Sequence, residues 1–141
     1  MANAIVRVLV VDDYEPFRQF LRSNLQPRPE LQIVGEASDG LEGVQKAEEL
    51  RPDLILLDIG LPTLNGIEAA HRITRLVPAA KILFISQEND PDIVAKALSN
   101  GAKGHVHKQH AVTDLLPAIK AVLGGDRFSN TRFGRTSNPV T

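Results

Sequence analysis

Three aspartates follow two apolar runs and could together bind a cation. Asp12 and Asp13 come directly after residues 5–11, and Asp58 comes directly after residues 54–57. Apolar runs of this kind are typical of strands that are buried on both faces of a parallel sheet. In such sheets chemistry takes place in the crevice beyond the carboxyl ends of the strands. Like charges at one sheet edge repel, so the pattern predicts a metal site and phosphoryl chemistry there.

Two further polar residues are predicted at the same sheet edge. Ser86 ends the fourth predicted strand, and Lys108 follows the fifth. Each residue also has an ordinary interpretation by itself. Asp13 could cap a helix that begins near Glu15, and Asp58 could be a turn residue. Ser86 could form a hydrogen bond with nearby backbone, and Lys108 could be a solvated surface lysine. Their joint occurrence at four strand ends favours a phosphoacceptor site over these separate interpretations.

The composition indicates an ordinary globular domain and excludes several functions. The chain has 141 residues, 43% of them hydrophobic and 23% charged, which suits one domain with its own core. The absence of cysteine excludes disulfides, thiolate metal sites and a cysteine nucleophile. A formal net charge of −1 gives no global attraction to nucleic acid. No apolar stretch approaches the roughly 18 residues that span a bilayer, and no signal-peptide pattern is present, so we expect no membrane contact and a cytoplasmic location.

The strand and helix patterns alternate five times, and this predicts the fold. Strands are expected at residues 5–11, 31–37, 54–58, 81–86 and 104–107, the last being short and at the sheet edge. Asp39 and Asp90 are predicted helix N-caps, with Glu42 as the capping-box partner of Asp39. Short connections between strand and helix predict right-handed crossovers and a parallel sheet. The predicted class is a flavodoxin-like (βα)5 three-layer sandwich with strand order 2-1-3-4-5.

The last helix and the residues after it are less regular. Pro117 falls within the apolar periodicity of that helix, and an interior proline costs about 3 kcal/mol. We therefore predict that the helix begins with Thr113 as its N-cap. Residues 126–141 contain arginines among Ser, Asn, Thr and Pro, which predicts a disordered polar linker or tail and no sixth element. The predicted domain is residues 1–125.

The ordered set of motifs resembles the receiver domain of two-component response regulators. The matching pieces are residues 10–13, residues 53–62 with Asn65-Gly66, the strand that ends at Ser86, Gly101-Ala102 and residues 104–108. The similarity covers residues 5–125. The stretch from Asp39 through Ala47 and the last helix are most similar to receivers that precede a LuxR-type helix-turn-helix domain.

The resemblance implies a role for each site residue. Asp58 would accept a phosphoryl group from a histidine of a sensor kinase or phosphotransfer protein, and the chain would catalyse only its own phosphorylation and dephosphorylation. Mg²⁺ would be held by Asp12, Asp13, Asp58 and the backbone carbonyl of Gly60. Lys108 and Ser86 would stabilise the phosphoryl group, and Ser86 with His105 would form the switch. The output face would be the fourth helix, fifth strand and fifth helix, or the first and fifth helices, with a homodimer as one candidate assembly.

Three residues depart from the family pattern. His105 stands where most relatives carry Tyr or Phe, which suggests weaker or pH-dependent coupling to the output face. Gln109 replaces a frequent proline, so the peptide bond before it is expected to be trans. Gln87 replaces a small residue and is expected to cover part of the pocket. The sequence stops at Thr141, and we expect a receiver separated from the helix-turn-helix domain of a longer transcription regulator, with a stand-alone receiver as the alternative.

Other functions fit the sequence less well. A phosphatase of the haloacid dehalogenase class usually needs a second Asp two positions after the nucleophile, where this chain has Gly60. A flavin-binding domain would need a phosphate-cradling loop after the first strand, where the acidic residues 12–15 would repel phosphate. A zinc site at His105, His107 and His110 lacks an evident fourth ligand, and polar edge-strand positions are the preferred interpretation. A degenerate receiver that binds partners without phosphorylation stays open.

Overall fold

A six-stranded parallel sheet with helices on both faces forms the molecule. The computed structural model describes residues 4–129. The strands are β1 Val6–Val11, β2 Leu31–Ala37, β3 Leu54–Leu57, β4 Lys81–Ser86, β5 Gly104–His107 and β6 Phe128–Ser129. The helices are α1 Glu15–Leu25, α2 Gly40–Leu50, α3 Gly66–Leu76, α4 Pro91–Ser99 and α5 Ala111–Leu123. A 3-10 turn, Lys108–His110, joins β5 to α5.

The strand order is β2-β1-β3-β4-β5-β6, which confirms the predicted flavodoxin-like order and adds one strand. The two-residue β6 pairs in parallel with β5, with Gly104 opposite Phe128. The prediction that nothing after residue 125 joins the sheet is therefore wrong for Phe128–Ser129. Such a short strand leaves no periodic pattern in a polar segment, so the sequence carried no signal for it. The rest of that predicted tail, residues 130–141, lies outside the described residues.

Alternation along the central strands sends apolar side chains to both faces of the sheet. Leu9, Ile55 and Phe84 pack with α2, α3 and α4 on one face. Val8 and Leu83 pack with α1 and α5 on the other face. Both faces are covered because parallel strands need helical crossovers. The loops at the carboxyl edge of the sheet therefore follow strands that are packed on both faces.

The predicted N-caps Asp39 and Asp90 are confirmed. The side chain of Asp39 accepts a hydrogen bond from Glu42 N at 2.8 Å, and Asp90 accepts one from Asp92 N at 2.9 Å. Glu42 reaches back to Ser38 N rather than to the backbone of Asp39. None of the helices in residues 4–129 has the length and apolar run that crossing a bilayer requires.

The predicted start of the last helix is wrong. Helix α5 begins at Ala111, directly after the 3-10 turn, and its N-cap is His110. Pro117 therefore lies inside the helix. Pro117 and Thr113 are both exposed, so water can bond the Thr113 carbonyl that the missing proline N–H leaves unpaired. The turn is stabilised by Gln109 N, which donates to His107 Nδ1 at 3.1 Å.

Candidate functional site

The register of the central strands brings Asp12 and Asp58 together. Val11 lies opposite Leu57 in the β1–β3 pair, and Asp58 N donates to Val11 O at 3.0 Å. One carboxylate oxygen from each of Asp12, Asp13 and Asp58 lies within 4.8 Å of the others. The predicted convergence of three carboxylates at one sheet edge is thus present in the structure. Among the described residues, the three histidines near β5 form no comparable cluster of metal ligands.

Lys108 supplies a positive charge to this acidic cluster. It follows β5 directly, and its Nζ lies 2.8 Å from Asp12 Oδ2 and 3.2 Å from Asp58 Oδ2. The ammonium also lies 4.5 Å from the centroid of the Phe17 ring, a cation–π distance. Nothing in the sequence indicated this contact, because the spacing of apolar residues does not show which ring will lie beside a distant lysine.

Burial and neighbouring charge perturb both partners of this ion pair. Burial raises the pKa of Asp58; Lys108 opposes that shift, and the negative charge of Asp12 adds to it. Burial would lower the pKa of Lys108, but its hydrogen bonds to Asp12 and Asp58 and their charges hold that pKa above its ordinary value. One lysine thus leaves the charge of the three carboxylates incompletely neutralised.

The loop after β3 is built tightly around Asp58. Asp58 Oδ1 accepts a hydrogen bond from Ile59 N at 2.7 Å, and Gly66 N donates to Ile59 O at 2.7 Å. A Cβ on Gly66 would lie 1.9 Å from the backbone oxygen of Asp58, so only glycine fits at this close approach. Asn65-Gly66 is only one piece of the family resemblance, and the sequence did not show that the glycine packs against the acidic residue.

An open cleft of about 630 Å³ lies over the cluster. Its lining comprises Asp13, Tyr14, Asp58, Ile59, Gly60, Ser86, Gln87, Glu88, Asn89 and Lys108. Gln87 and Gly60 therefore border the cleft. Its lining thus includes carboxylates at the strand ends and residues 87–89 of the loop between β4 and α4.

The loop after β1 leaves Asp13 available for binding. The N-cap of α1 is Tyr14, which makes no side-chain capping bond, so Asp13 does not cap this helix. Asp12 Oδ1 instead accepts a hydrogen bond from Tyr14 N at 2.8 Å. Arg18, which the sequence analysis missed, donates to the backbone oxygen of Asp12 at 2.5 Å and pairs with Glu15. The three-residue spacing of Glu15 and Arg18 was a sequence signal for their ion pair, but not for the contact with Asp12.

Ser86 and His105 form a buried pair beside the cleft. Ser86 Oγ lies 2.7 Å from His105 Nε2, and these residues are 1% and 0% exposed. The interpretation of His105 and His107 as polar edge positions is wrong, because β6 extends the sheet past β5 and both residues are buried. Burial, and to a lesser extent the charge of His107, lowers the pKa of His105 to about 4. The described residues contain no cis peptide bond, so the trans bond expected before Gln109 is confirmed.

Comparisons with known proteins agree with this geometry. The family model of the response regulator receiver domain matches residues 8–120. The transcriptional regulatory proteins LnrK and LiaR of Bacillus subtilis are 35% and 37% identical to the chain; each match covers 86% of the chain, and 55% and 58% of those proteins. The chain thus spans little more than half the length of these relatives.

A solved structure shows the same fold. The crystal structure of a LuxR-family two-component response regulator from Aurantimonas sp. SI85-9A1 superposes with a TM-score of 0.83 at 34% identity, covering 89% of each chain. The family match extends from the middle of β1 into α5 and so includes all the strand ends that form the cleft. The chain therefore belongs to the family of receiver domains of two-component response regulators.

Proposed function

We propose that Asp58 accepts a phosphoryl group from a phosphohistidine of a sensor kinase or phosphotransfer protein. The supporting observation is the position of its carboxylate, which borders the cleft with the Lys108 ammonium 3.2 Å away. In the transfer, an Asp58 oxygen forms a bond to phosphorus while the bond from phosphorus to the histidine nitrogen breaks. That nitrogen takes up a proton from solvent. Such transfers depend on positioning and charge stabilisation.

The acidic cluster fits a divalent cation. Asp12, Asp13 and Asp58 present hard oxygen ligands within one ion's reach, and the raised pKa of Asp58 reflects burial and incompletely neutralised charge. We assign Mg²⁺ to these carboxylates and to the backbone carbonyl of Gly60. When bound, Mg²⁺ would supply the positive charge that the site lacks. Three carboxylates, Lys108 and Mg²⁺ sum to about zero, and a phosphoryl group adds about one further negative charge.

Lys108 and Ser86 are assigned to the phosphoryl group itself. Lys108 bridges Asp12 and Asp58, so a short side-chain movement would carry its ammonium to a phosphoryl oxygen. Ser86 borders the cleft, and its Oγ also accepts a hydrogen bond from Glu88 N at 3.2 Å. Glu88 Oε2 in turn accepts from Asp90 N at 3.1 Å, next to the start of α4. Displacement of Ser86 would therefore be transmitted along this loop to α4, and the switch is assigned to Ser86 and His105.

The signalling role follows from the site and from the relatives. The matching relatives are transcriptional regulatory proteins of about twice the matched length, so we propose that phosphorylation here controls transcription through a helix-turn-helix output domain. The chain acts as a signalling module in the cytoplasm, without binding nucleic acid itself, and a homodimer is the assembly to test. Light scattering with and without a beryllofluoride phosphoryl mimic would detect dimerisation. A mass that does not change would remove this part of the proposal.

The phosphoacceptor assignment is tested by labelling with acetyl phosphate and intact-mass analysis. The wild type should gain one phosphoryl group in the presence of Mg²⁺ and far less in the presence of a chelator. Asp58→Asn should gain none, while Asp126→Asn, which changes an exposed carboxylate, should behave as the wild type does. Equal labelling of wild type and Asp58→Asn would refute the assignment. No labelling of any variant would favour the degenerate receiver.

The metal assignment has a separate test. The chain has one tyrosine and no tryptophan, and Tyr14 borders the cleft beside Asp13. Tyrosine fluorescence therefore reports on this site alone, and Mn²⁺ binding can be counted independently by electron paramagnetic resonance. We expect one divalent ion per chain, lost in Asp13→Asn and kept in Asp126→Asn. Binding that survives the change at Asp13 would place the ion elsewhere.

A further inference from the structure

The buried pair of Ser86 and His105 restricts where the serine proton can point. Ser86 Oγ lies 2.7 Å from His105 Nε2 and accepts a hydrogen bond from Glu88 N at 3.2 Å. A hydroxyl has one proton to donate and two lone pairs that accept. The Glu88 N–H occupies one lone pair. The direction of the hydrogen bond between Ser86 and His105 then decides whether the serine proton is available to the cleft.

A neutral imidazole carries its proton on one nitrogen only, and burial keeps His105 neutral near neutral pH. With the proton on Nδ1, Nε2 would accept the Ser86 proton. The cleft would then receive no donor from Ser86. In addition, Nδ1 is buried and has no hydrogen-bond partner among the described residues, so this tautomer would bury an unpaired N–H.

With the proton on Nε2, His105 donates to Ser86 Oγ. Both lone pairs of the hydroxyl are then occupied, and its proton has to point in a third direction. Nδ1 becomes an unpaired acceptor, and buried unpaired acceptors are less rare in proteins than buried unpaired N–H groups. Both tautomers leave Nδ1 unpaired, but this one leaves an acceptor there rather than an N–H, and Ser86 lines the cleft into which its free hydroxyl proton can point.

We propose that His105 carries its proton on Nε2 and thereby directs the Ser86 proton into the cleft, toward an oxygen of a group on Asp58. His105 is then a positioning residue that acts through Ser86. The part of this inference that concerns the phosphoryl oxygen rests on the proposed function. The proton assignment itself concerns the unphosphorylated chain and is independent of it.

The proton assignment is tested by long-range proton–nitrogen correlation spectra of the ¹⁵N-labelled, unphosphorylated chain near pH 7. The signals of His105 are those that disappear in His105→Phe. We expect the chemical shifts of an imidazole protonated on Nε2. Shifts of the Nδ1-protonated form, or of an imidazolium, would overturn the inference whether or not the protein can be phosphorylated.

The positioning role is tested by the initial rates of labelling by acetyl phosphate. Ser86→Ala should lower the rate by about 10- to 150-fold, the range expected from the loss of one charge-assisted hydrogen bond. His105→Phe should lower it less, and His105→Gln, whose amide can donate to Oγ, should restore most of the rate. In the Ser86→Ala background, His105→Phe should have no further effect. If the two substitutions lower the rate by independent, multiplicative factors, His105 does not act through Ser86 and the positioning role is overturned. A wild type that is never labelled would instead overturn the proposed function.

Discussion

Acidification should destabilise this fold through one buried histidine. His105 is completely buried, and its pKa falls from 6.5 to about 4 because burial disfavours the charged ring. A group with a lowered pKa in the folded state takes up more protons when the chain unfolds. Its contribution to stability is therefore fully present above pH 6.5 and is lost as the pH falls toward 4.

The size of this effect follows from the two pKa values. They differ by about 2.5 units, and one unit corresponds to 1.36 kcal/mol, so the complete loss is about 3 kcal/mol. Integration of proton uptake between pH 7.5 and pH 5 gives a loss of about 2 kcal/mol. With a urea m-value of about 2 kcal/mol/M, the unfolding midpoint should fall by about 1 M over this interval.

The assay is urea unfolding followed by circular dichroism at pH 7.5 and pH 5. Carboxylates also titrate in this range, so the informative quantity is the difference between wild type and His105→Gln. The glutamine variant lacks the titrating ring and should lose about 2 kcal/mol less stability between the two pH values. His71→Gln is the matched control, because His71 is exposed, and it should follow the wild type. A wild type and a His105→Gln variant that lose equal stability would refute the account of His105.

Three further predictions concern the acidic cleft. Burial raises the pKa of Asp58, so the folded protein loses stability as the pH rises from 3.8 through the pKa of Asp58 in the folded state. Asp58→Asn should therefore melt at a higher temperature than the wild type at pH 7. Mg²⁺ at 100 times its dissociation constant should stabilise the wild type by about 2.7 kcal/mol and the variant by less. Lys108→Gln leaves Asp12 and Asp58 without their shared cation and should cost about 1–3 kcal/mol in denaturant titrations, part of it restored by Mg²⁺; equal stability without Mg²⁺ would contradict the ion pair. Gly66→Ala would place a Cβ 1.9 Å from the Asp58 carbonyl and should cost at least about 1–3 kcal/mol, whereas Gly60→Ala meets no atom within 4 Å and should unfold as wild type does.

The positions of the site residues could be predicted because they depend on strand ends. The apolar runs before Asp12 and Asp58 mark buried parallel strands, and a parallel sheet brings its carboxyl ends to one edge whatever the sequence separation. Lys108 follows the same rule at β5. The N-caps Asp39 and Asp90 were predictable because capping depends on local sequence.

The features that the sequence did not predict depend on contacts between distant segments. β5 is not an edge strand, because it pairs with a strand of only two residues, Phe128–Ser129, and His105 on it is completely buried. The start of α5 is set by a 3-10 turn in which Gln109 N bonds the His107 ring. Pro117 is tolerated because its position in the helix faces solvent, a fact that helix propensity does not contain. The contact of Arg18 with the backbone of Asp12 likewise appears only once β1 and α1 are packed.

The central claim is that the Asp58 carboxylate forms the acyl phosphate. The direct measurement is hydride reduction of the labelled protein followed by peptide mass mapping, because borohydride reduces an acyl phosphate of aspartate to homoserine and leaves free carboxylates unchanged. We predict homoserine at position 58, dependent on acetyl phosphate and Mg²⁺, with Asp12 and Asp13 intact. Reduction at another aspartate, with Asp58 recovered unchanged from fully labelled protein, would contradict the account.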